Sequence, residues 1–320
     1  MTVWKTLTGS AAAGAIAALV AMQGASAQIP ESNEPIKLAM NEWTGQHIST
    51  VVAGEVLKRM GYTVEYVTAG YYPQLTALAE GDLDGSLEIW SSNIGEGFDE
   101  AMATGNIAIV GESGLVPQEA WYVPGYVVEM CPGLPSWEAL NACKDLFATP
   151  DTMPGGRFLD YPAEWGDTNA QRIEALGLEY VSIPSGGEGA IIAEIKSAYE
   201  RKAPLLTMFW EPHWVHAQYD LQRVFLPEYV EGCDSDPAIG PNPDAVYDCG
   251  APASGYLKKA GSPRLAETWP AAYAFLQKVD FSNDQIAAAA AMVDVDGMTP
   301  EEAAEQWIED NKDTWSAWTM

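Results

Sequence analysis

The sequence has 320 residues, 48% hydrophobic and 19% charged, the composition of a folded chain of about two domains. Lys and Arg number 16 against 45 Asp and Glu, a formal net charge of -29. That balance excludes a nucleic-acid binder working through a basic face, disfavours docking on anionic lipid, and suits a salty medium where screening weakens self-repulsion.

Residues 1–27 read as a signal peptide: Lys5 makes a positive start, Ala11 to Met22 is apolar, and Ala25-Ser26-Ala27 is a cleavage site. The apolar run is short for a bilayer span. Export to a bacterial periplasm as a soluble chain without membrane insertion is expected. Ile36 to Met40 is a first strand, His47 to Met60 a helix stopped by Gly61, Thr63 to Val67 a second strand. Tyr72 to Glu80 is a short helix, Gly85 to Trp90 a third strand, and Asp99 to Thr104 a short helix. This order predicts parallel βαβ units, hence an α/β fold.

Trp121 to Met130 reads as a strand leaving the first lobe. Pro135 to Ala142 and Asn169 to Leu176 read as helices, Glu179 to Ile183 as a strand, Glu188 to Arg201 as a helix and Leu205 to Trp210 as a buried strand. Residues 231–255 are rich in Gly, Pro, Asp and Asn and carry no period. Thr268 to Lys278, Ser282 to Val293 and Thr299 to Asp310 are helical. The expected organisation is a first lobe from residues 28–122 and 220–320, a second from 123–219, and a ligand cleft between them.

The four cysteines, Cys131, Cys143, Cys233 and Cys249, suggest disulfides in an exported chain, with three possible connectivities. The economical pairing is local, Cys131–Cys143 and Cys233–Cys249, each contributing about 3 kcal/mol in the chain-entropy model. Between the last two lie Asp234, Asp236, Asn242, Asp244 and Asp248, oxygen ligands that suit a structural calcium ion, although the spacing is not that of an EF-hand. No other cofactor is expected.

Of twelve tryptophans, four stand at strand ends or in loops. Trp43 follows the first strand in Asn41-Glu42-Trp43-Thr44-Gly45, and Trp90 closes the third in Glu88-Ile89-Trp90. Trp165 sits in Tyr161-Pro162-Ala163-Glu164-Trp165-Gly166, and Trp210 closes its strand in Phe209-Trp210-Glu211-Pro212. Open α/β sheets bind ligands at these ends. Aromatic faces attract a quaternary ammonium, which has no strong hydrogen bond to give. The four are therefore read as a cage, with Tyr122 and Trp214 in reserve. Glu129, at the end of the strand from Trp121, is the expected polar partner; Glu42, Glu88 and Glu211 are its alternatives.

These segments, with Trp210-Glu211-Pro212-His213-Trp214, resemble the substrate-binding proteins of glycine betaine/choline-type ABC importers over essentially the whole mature chain. The resemblance implies a two-lobed type II periplasmic-binding-protein (Venus-flytrap) fold, a monomer that closes on a methylated amine and hands it to a membrane permease. Betaine binders use backbone amides of a Pro/Gly turn to hold the ligand carboxylate. Here Leu159-Asp160-Tyr161-Pro162-Ala163-Glu164-Trp165-Gly166 presents acids and a tryptophan instead. The chain looks more like the trimethylamine N-oxide binders of marine bacteria, with choline and glycine betaine next as ligands.

Catalytic signatures are sparse. His213-x-x-His216 has no third ligand beside it, and no G-x-S-x-G, P-loop or dinucleotide fingerprint occurs in context. A carbohydrate-active hydrolase with a Trp-lined cleft and a hidden carboxylate pair is the alternative of another class; an enzyme is not expected.

Overall fold

The computed structural model describes residues 1–2, 29–91, 96–253 and 257–320. The signal-peptide reading of residues 1–27 therefore lies outside the described residues, apart from the first two. The remaining chain builds two five-stranded sheets. The first contains β1 (Ile36–Met40), β2 (Val64–Thr68), β3 (Gly85–Trp90), β4 (Ala108–Gly111) and β11 (Leu257–Gly261), ordered β2-β1-β3-β11-β4. The second contains β5 (Gln118–Pro124), β7 (Gly156–Asp160), β8 (Tyr180–Pro184), β9 (Thr207–Glu211) and β10 (Leu221–Val224), ordered β10-β5-β9-β7-β8. A short extended segment, β6 (Pro132–Pro135), joins neither.

The expected βαβ units are present: β1 pairs in parallel with both β2 and β3, and β7 with both β8 and β9. The antiparallel strands β11 and β5 each enter the middle of a sheet, and only the second had a sequence signal. The helix Thr44–Arg59 packs close to its sheet. A Cβ at Gly54 would lie 2.3 Å from the Tyr66 hydroxyl of β2, so only glycine allows that approach. Two C-terminal helices, Asn283–Asp294 and Pro300–Asp310, begin with full capping boxes at Ser282 and Thr299. Trp307 and Trp318 stack on each other at 5.7 Å, with Phe281 edge to face at 5.3 and 5.2 Å, so these two tryptophans are core fillers of the first lobe.

Two expectations are corrected. Trp121 to Met130 is not one strand: β5 ends at Pro124, Gly125 follows, and Val127–Met130 is a turn of helix. Because β5 and β10 both belong to the second sheet, the crossings fall at residues 112–117 and between β10 and β11, not at 122 and 220. The acidic loop belongs to the second lobe. Asn242 Nδ2 donates to the Ala175 carbonyl at 2.6 Å, and Arg172 Nε donates to that of Cys249 at 2.5 Å.

Both local disulfides form, Cys131–Cys143 across 5.7 Å and Cys233–Cys249 across 6.4 Å between Cα atoms. The second closes a 16-residue separation in a segment without regular secondary structure. Replacing Cys233 and Cys249 together by alanine is expected to cost about 3 kcal/mol. Thermal unfolding monitored by near-UV circular dichroism checks this; an unchanged midpoint would mean the loop is ordered by its contacts alone.

Candidate functional site

The four tryptophans meet between the lobes. Trp43 stands at the N-cap of the helix Thr44–Arg59, in extended backbone. Trp90 is the last residue of β3, Trp210 the fourth of β9, and Trp165 closes a short 3-10 turn after β7. All four are buried. Trp43 meets Trp165 edge to face at 5.5 Å and 72°, and Trp165 meets Trp210 at 5.7 Å and 69°. Tyr71, in the turn after β2, closes on Trp43 at 5.9 Å and 68°. The near-perpendicular walls do not stack on one another, and Trp210 is backed by Phe209, stacked at 4.6 Å and 23°. Together with Glu119 and Met208 they line a cavity of about 320 Å³, its mouth included.

The electrostatics point one way. Glu88 of β3 lies behind the rings, 2% exposed. Its Oε2 accepts the indole N–H of Trp43 at 3.0 Å and of Trp90 at 3.1 Å, and its Oε1 accepts the Ser49 hydroxyl at 2.9 Å. One buried carboxylate therefore fixes two walls in the first lobe. Burial pushes its carboxyl up, against the pull of these three hydrogen bonds. Glu42, on the exposed side, also accepts a hydrogen bond from Trp165; partial desolvation raises its carboxyl and that bond opposes this. Neither Lys nor Arg is among the residues lining the cavity. A site of π-faces and carboxylates accepts a cation and repels an anion.

Glu129 does not belong here. It is exposed on the helical turn Val127–Met130 and lines no part of the cavity. Strand direction explains the error. β5 runs antiparallel to β9, pairing Glu119 with Trp210 and Trp121 with Met208. The end of β5 that reaches the cage is thus its beginning, and Glu119 stands there. The signal was available, an acid two residues before a strand tryptophan, but only the strand's orientation makes it readable. Tyr71 was missed as well, although it follows β2 as Trp43 follows β1.

Tyr122 is buried beside the site rather than in it. Its hydroxyl accepts from Gln118 Nε2 at 2.6 Å, and the same amide donates to Glu211 at 3.1 Å. Trp214 is likewise outside the cage, its indole N–H given to Asp294 at 2.7 Å. Asp160 does not face the cleft. It is buried, accepting the Tyr161 amide at 2.8 Å, Asn169 Nδ2 at 2.7 Å and the Ser182 hydroxyl at 2.7 Å.

The acidic loop does not assemble a calcium site. Among the described residues no three of its carboxylates come close enough to share an ion. Most of its oxygens are used along the loop, although buried Asp248 Oδ1 has no hydrogen-bond partner among the described residues. Asp236 Oδ1 accepts the Ala238 amide at 2.9 Å, Asn242 Oδ1 accepts that of Asp244 at 3.0 Å, and buried Asp248 accepts that of Asn242. Asp234 sits against Ser235 at 3.3 Å. The set is spread over Asx turns and does not fit a hard ion needing six or more converging oxygens.

Comparison with known proteins agrees with this geometry. Residues 34–310 match the family model of the substrate-binding domain of ABC-type glycine betaine transport systems (OpuAC). A trimethylamine N-oxide-binding protein of Pelagibacter ubique (strain HTCC1062) is 34% identical over 296 residues, covering 90% of this chain and 92% of the relative. Among solved structures, the glycine betaine/L-proline-binding protein ProX of Borrelia burgdorferi superposes with a TM-score of 0.71 at 21% identity, over 89% of this chain and 96% of its own. Lactococcal OpuAC, closed on glycine betaine, gives 0.69 at 19%, over 90% and 100%. A choline-binding protein of an ABC transporter with choline gives 0.69 at 20%, over 90% and 92%. These structures establish the two-lobed type II periplasmic-binding-protein fold. The chain belongs to the family of substrate-binding components of ABC-type glycine betaine transport systems.

Proposed function

We propose that the chain captures trimethylamine N-oxide in the tryptophan cage and delivers it to an ABC permease. The observation that carries this reading is the convergence of Trp43, Trp90, Trp165 and Trp210 around one cavity with one carboxylate, Glu119, and no basic residue among the described residues of its wall. The methylated nitrogen lies against the π-faces, each desolvated contact contributing about 2 kcal/mol. Glu119 takes the polar end. The N-oxide oxygen only accepts, so it and Glu119 share one proton; choline would instead donate its hydroxyl to the carboxylate. A betaine carboxylate would meet Glu119 charge to charge. The 34% identical relative named for the N-oxide supports this choice within the family. The chain acts in this reading as an exported carrier; among the described residues no helix is long and apolar enough to cross a membrane.

Isothermal titration of the mature chain with trimethylamine N-oxide, choline and glycine betaine tests the reading. Tightest binding of the N-oxide is expected. Preference for choline moves the specificity but keeps the cage, and binding of none removes the methylated-amine reading. Glu119→Gln is expected to weaken N-oxide binding by about 2 kcal/mol, the scale of a hydrogen bond to a charged group. Glu129→Gln should leave it unchanged. Equal losses in the two variants would return the polar role to the exposed turn.

A further inference from the structure

Beside the cage, a second set of polar contacts ties one lobe to the other. Glu188 opens the helix Glu188–Arg201 of the second lobe, and its Oε2 accepts the Thr44 amide N–H at 2.9 Å. Thr44 opens a helix of the first lobe and directly follows Trp43. The Thr44 hydroxyl oxygen lies 3.1 Å from Glu188 Oε2 and 2.8 Å from Asp294 Oδ1, at the end of the helix Asn283–Asp294. Asp294 Oδ2 then accepts the indole N–H of Trp214, back in the second lobe, at 2.7 Å. His213 Nε2 completes the set, 3.1 Å from Glu188 Oε1.

The hydrogens can be counted. His213 Nδ1 accepts the Val215 amide N–H at 3.1 Å, so the neutral ring carries its hydrogen on Nε2, aimed at Glu188. That nitrogen therefore has no lone pair to offer a cation. Glu188 receives hydrogens from His213 and from the Thr44 amide; Asp294 receives one from Trp214. The Thr44 hydroxyl has a single hydrogen for two carboxylate oxygens. With both acids ionised, one of the two contacts is oxygen against oxygen with nothing between. One further hydrogen on Asp294 Oδ1 satisfies both: Asp294 donates to Thr44 Oγ1, and the Thr44 hydroxyl donates to Glu188 Oε2.

We propose that Thr44, Glu188, His213, Trp214 and Asp294 form an interlobe clasp that takes up one proton as the lobes close, so that ligand affinity rises as pH falls. The groups around it agree. Burial pushes the Asp294 carboxyl up and the Glu188 charge adds to this, against the Trp214 and Thr44 hydrogen bonds and the nearby His213. From β3, buried Glu88 is itself raised, Glu188 adding to the effect. His216 is held down by burial, accepting no role beyond its contact with the Trp210 carbonyl at 3.0 Å, and Glu211 is bonded to Gln118. Asp294 is still reached by water in the closed chain; opening the lobes parts it from the Glu188 charge and so returns its carboxyl towards the ordinary range. Its closed-state pKa is the higher one, so the clasp is fully present below the open-state value and is lost as pH rises through the closed-state value. Thr44 being next to Trp43, the clasp is a positioning device for one wall of the cage.

The inference rests on the carrier reading above, and its test separates the two. Trimethylamine N-oxide and choline are titrated into the chain from about pH 4, the ordinary carboxyl range, to about pH 8, in buffers of differing ionisation enthalpy. The wild-type chain is expected to take up a proton on binding either ligand, with Kd rising as pH passes through the closed-state value. Asp294→Asn supplies the extra hydrogen permanently, its amide donating to Thr44 while its oxygen keeps Trp214. That variant should bind with no proton uptake and a flat Kd. A flat wild-type profile overturns the clasp. So does an Asp294→Asn profile like the wild type's, or a pH dependence confined to the N-oxide; both would assign the proton to Glu88 or Glu119 in the cage. If neither ligand binds, the carrier reading fails, and small-angle scattering of the ligand-free chain decides. Compaction at acidic pH in the wild type, absent from the variant's pH response, sustains the clasp; identical scattering at both pH values removes it.

Discussion

Glu88→Ala is expected to be the most damaging single substitution at the site, lowering ligand affinity at least about 100-fold and the melting temperature by roughly 10 °C. Three buried donors, the indole N–H groups of Trp43 and Trp90 and the Ser49 hydroxyl, would lose their acceptor together. Each buried donor left unpaired costs about 1–3 kcal/mol. Both first-lobe walls would also be free to rotate, so the cage loses its shape as well as its charge. Glu88→Gln separates these effects. Its carbonyl oxygen can still accept both indoles, so the chain should fold with near-wild-type stability while affinity falls through loss of the negative charge beneath the cation. Scanning calorimetry and isothermal titration read the two quantities. An alanine variant with wild-type affinity would show that the indoles need no shared anchor.

Trp165→Ala should come next, with a loss of about thirtyfold or more in affinity, the equivalent of about 2 kcal/mol for one desolvated cation–π contact. Trp165 touches a tryptophan of each lobe, Trp43 at 5.5 Å and Trp210 at 5.7 Å. Its removal opens the cavity to water and cuts the aromatic contact across the cleft. It lies in a turn rather than a sheet, so stability should change far less than for Glu88→Ala. Trp165→Phe should recover part of the affinity, since a smaller π-face remains. Wild-type binding by the alanine variant would leave the cation with other walls and remove Trp165 from the cage.

The walls were legible because they obey a rule of sheet topology: parallel strands point their C-terminal ends at the cleft, and Trp43, Trp90 and Trp210 stand at or just past such ends. Trp165 follows β7 by the same logic. The carboxylate at the cavity wall, Glu119, was not legible because β5 breaks the rule. An antiparallel strand reverses which end meets the ligand, and no local pattern in Gln118–Pro124 announces its direction. Glu129 was the natural choice for a parallel strand and lies on the wrong end of an antiparallel one. The lobe boundaries shifted for a related reason. β10 and β11 are strands of four and five residues without clear alternation, and only their pairing partners assign them to a sheet. The acidic loop shows the limit of composition. Its aspartates are as numerous as a calcium site needs, but they turn back on their own amides.

The way the walls are divided has a kinetic consequence. Trp43, Trp90 and Tyr71 belong to the first lobe, and there Glu88 holds two of them by bonds that do not cross the cleft. Tyr71 is held similarly, its hydroxyl donating to the Trp90 carbonyl. That half of the receptor stays assembled when the lobes separate. An incoming molecule meets a finished landing surface, and the second lobe arrives afterwards as a cover. Association should then be governed by the first lobe, and the time the cargo stays aboard by Trp165, Trp210 and the bonds that span the gap. Whatever machine receives the cargo needs only to lift the cover, and can leave the landing surface untouched for the next arrival.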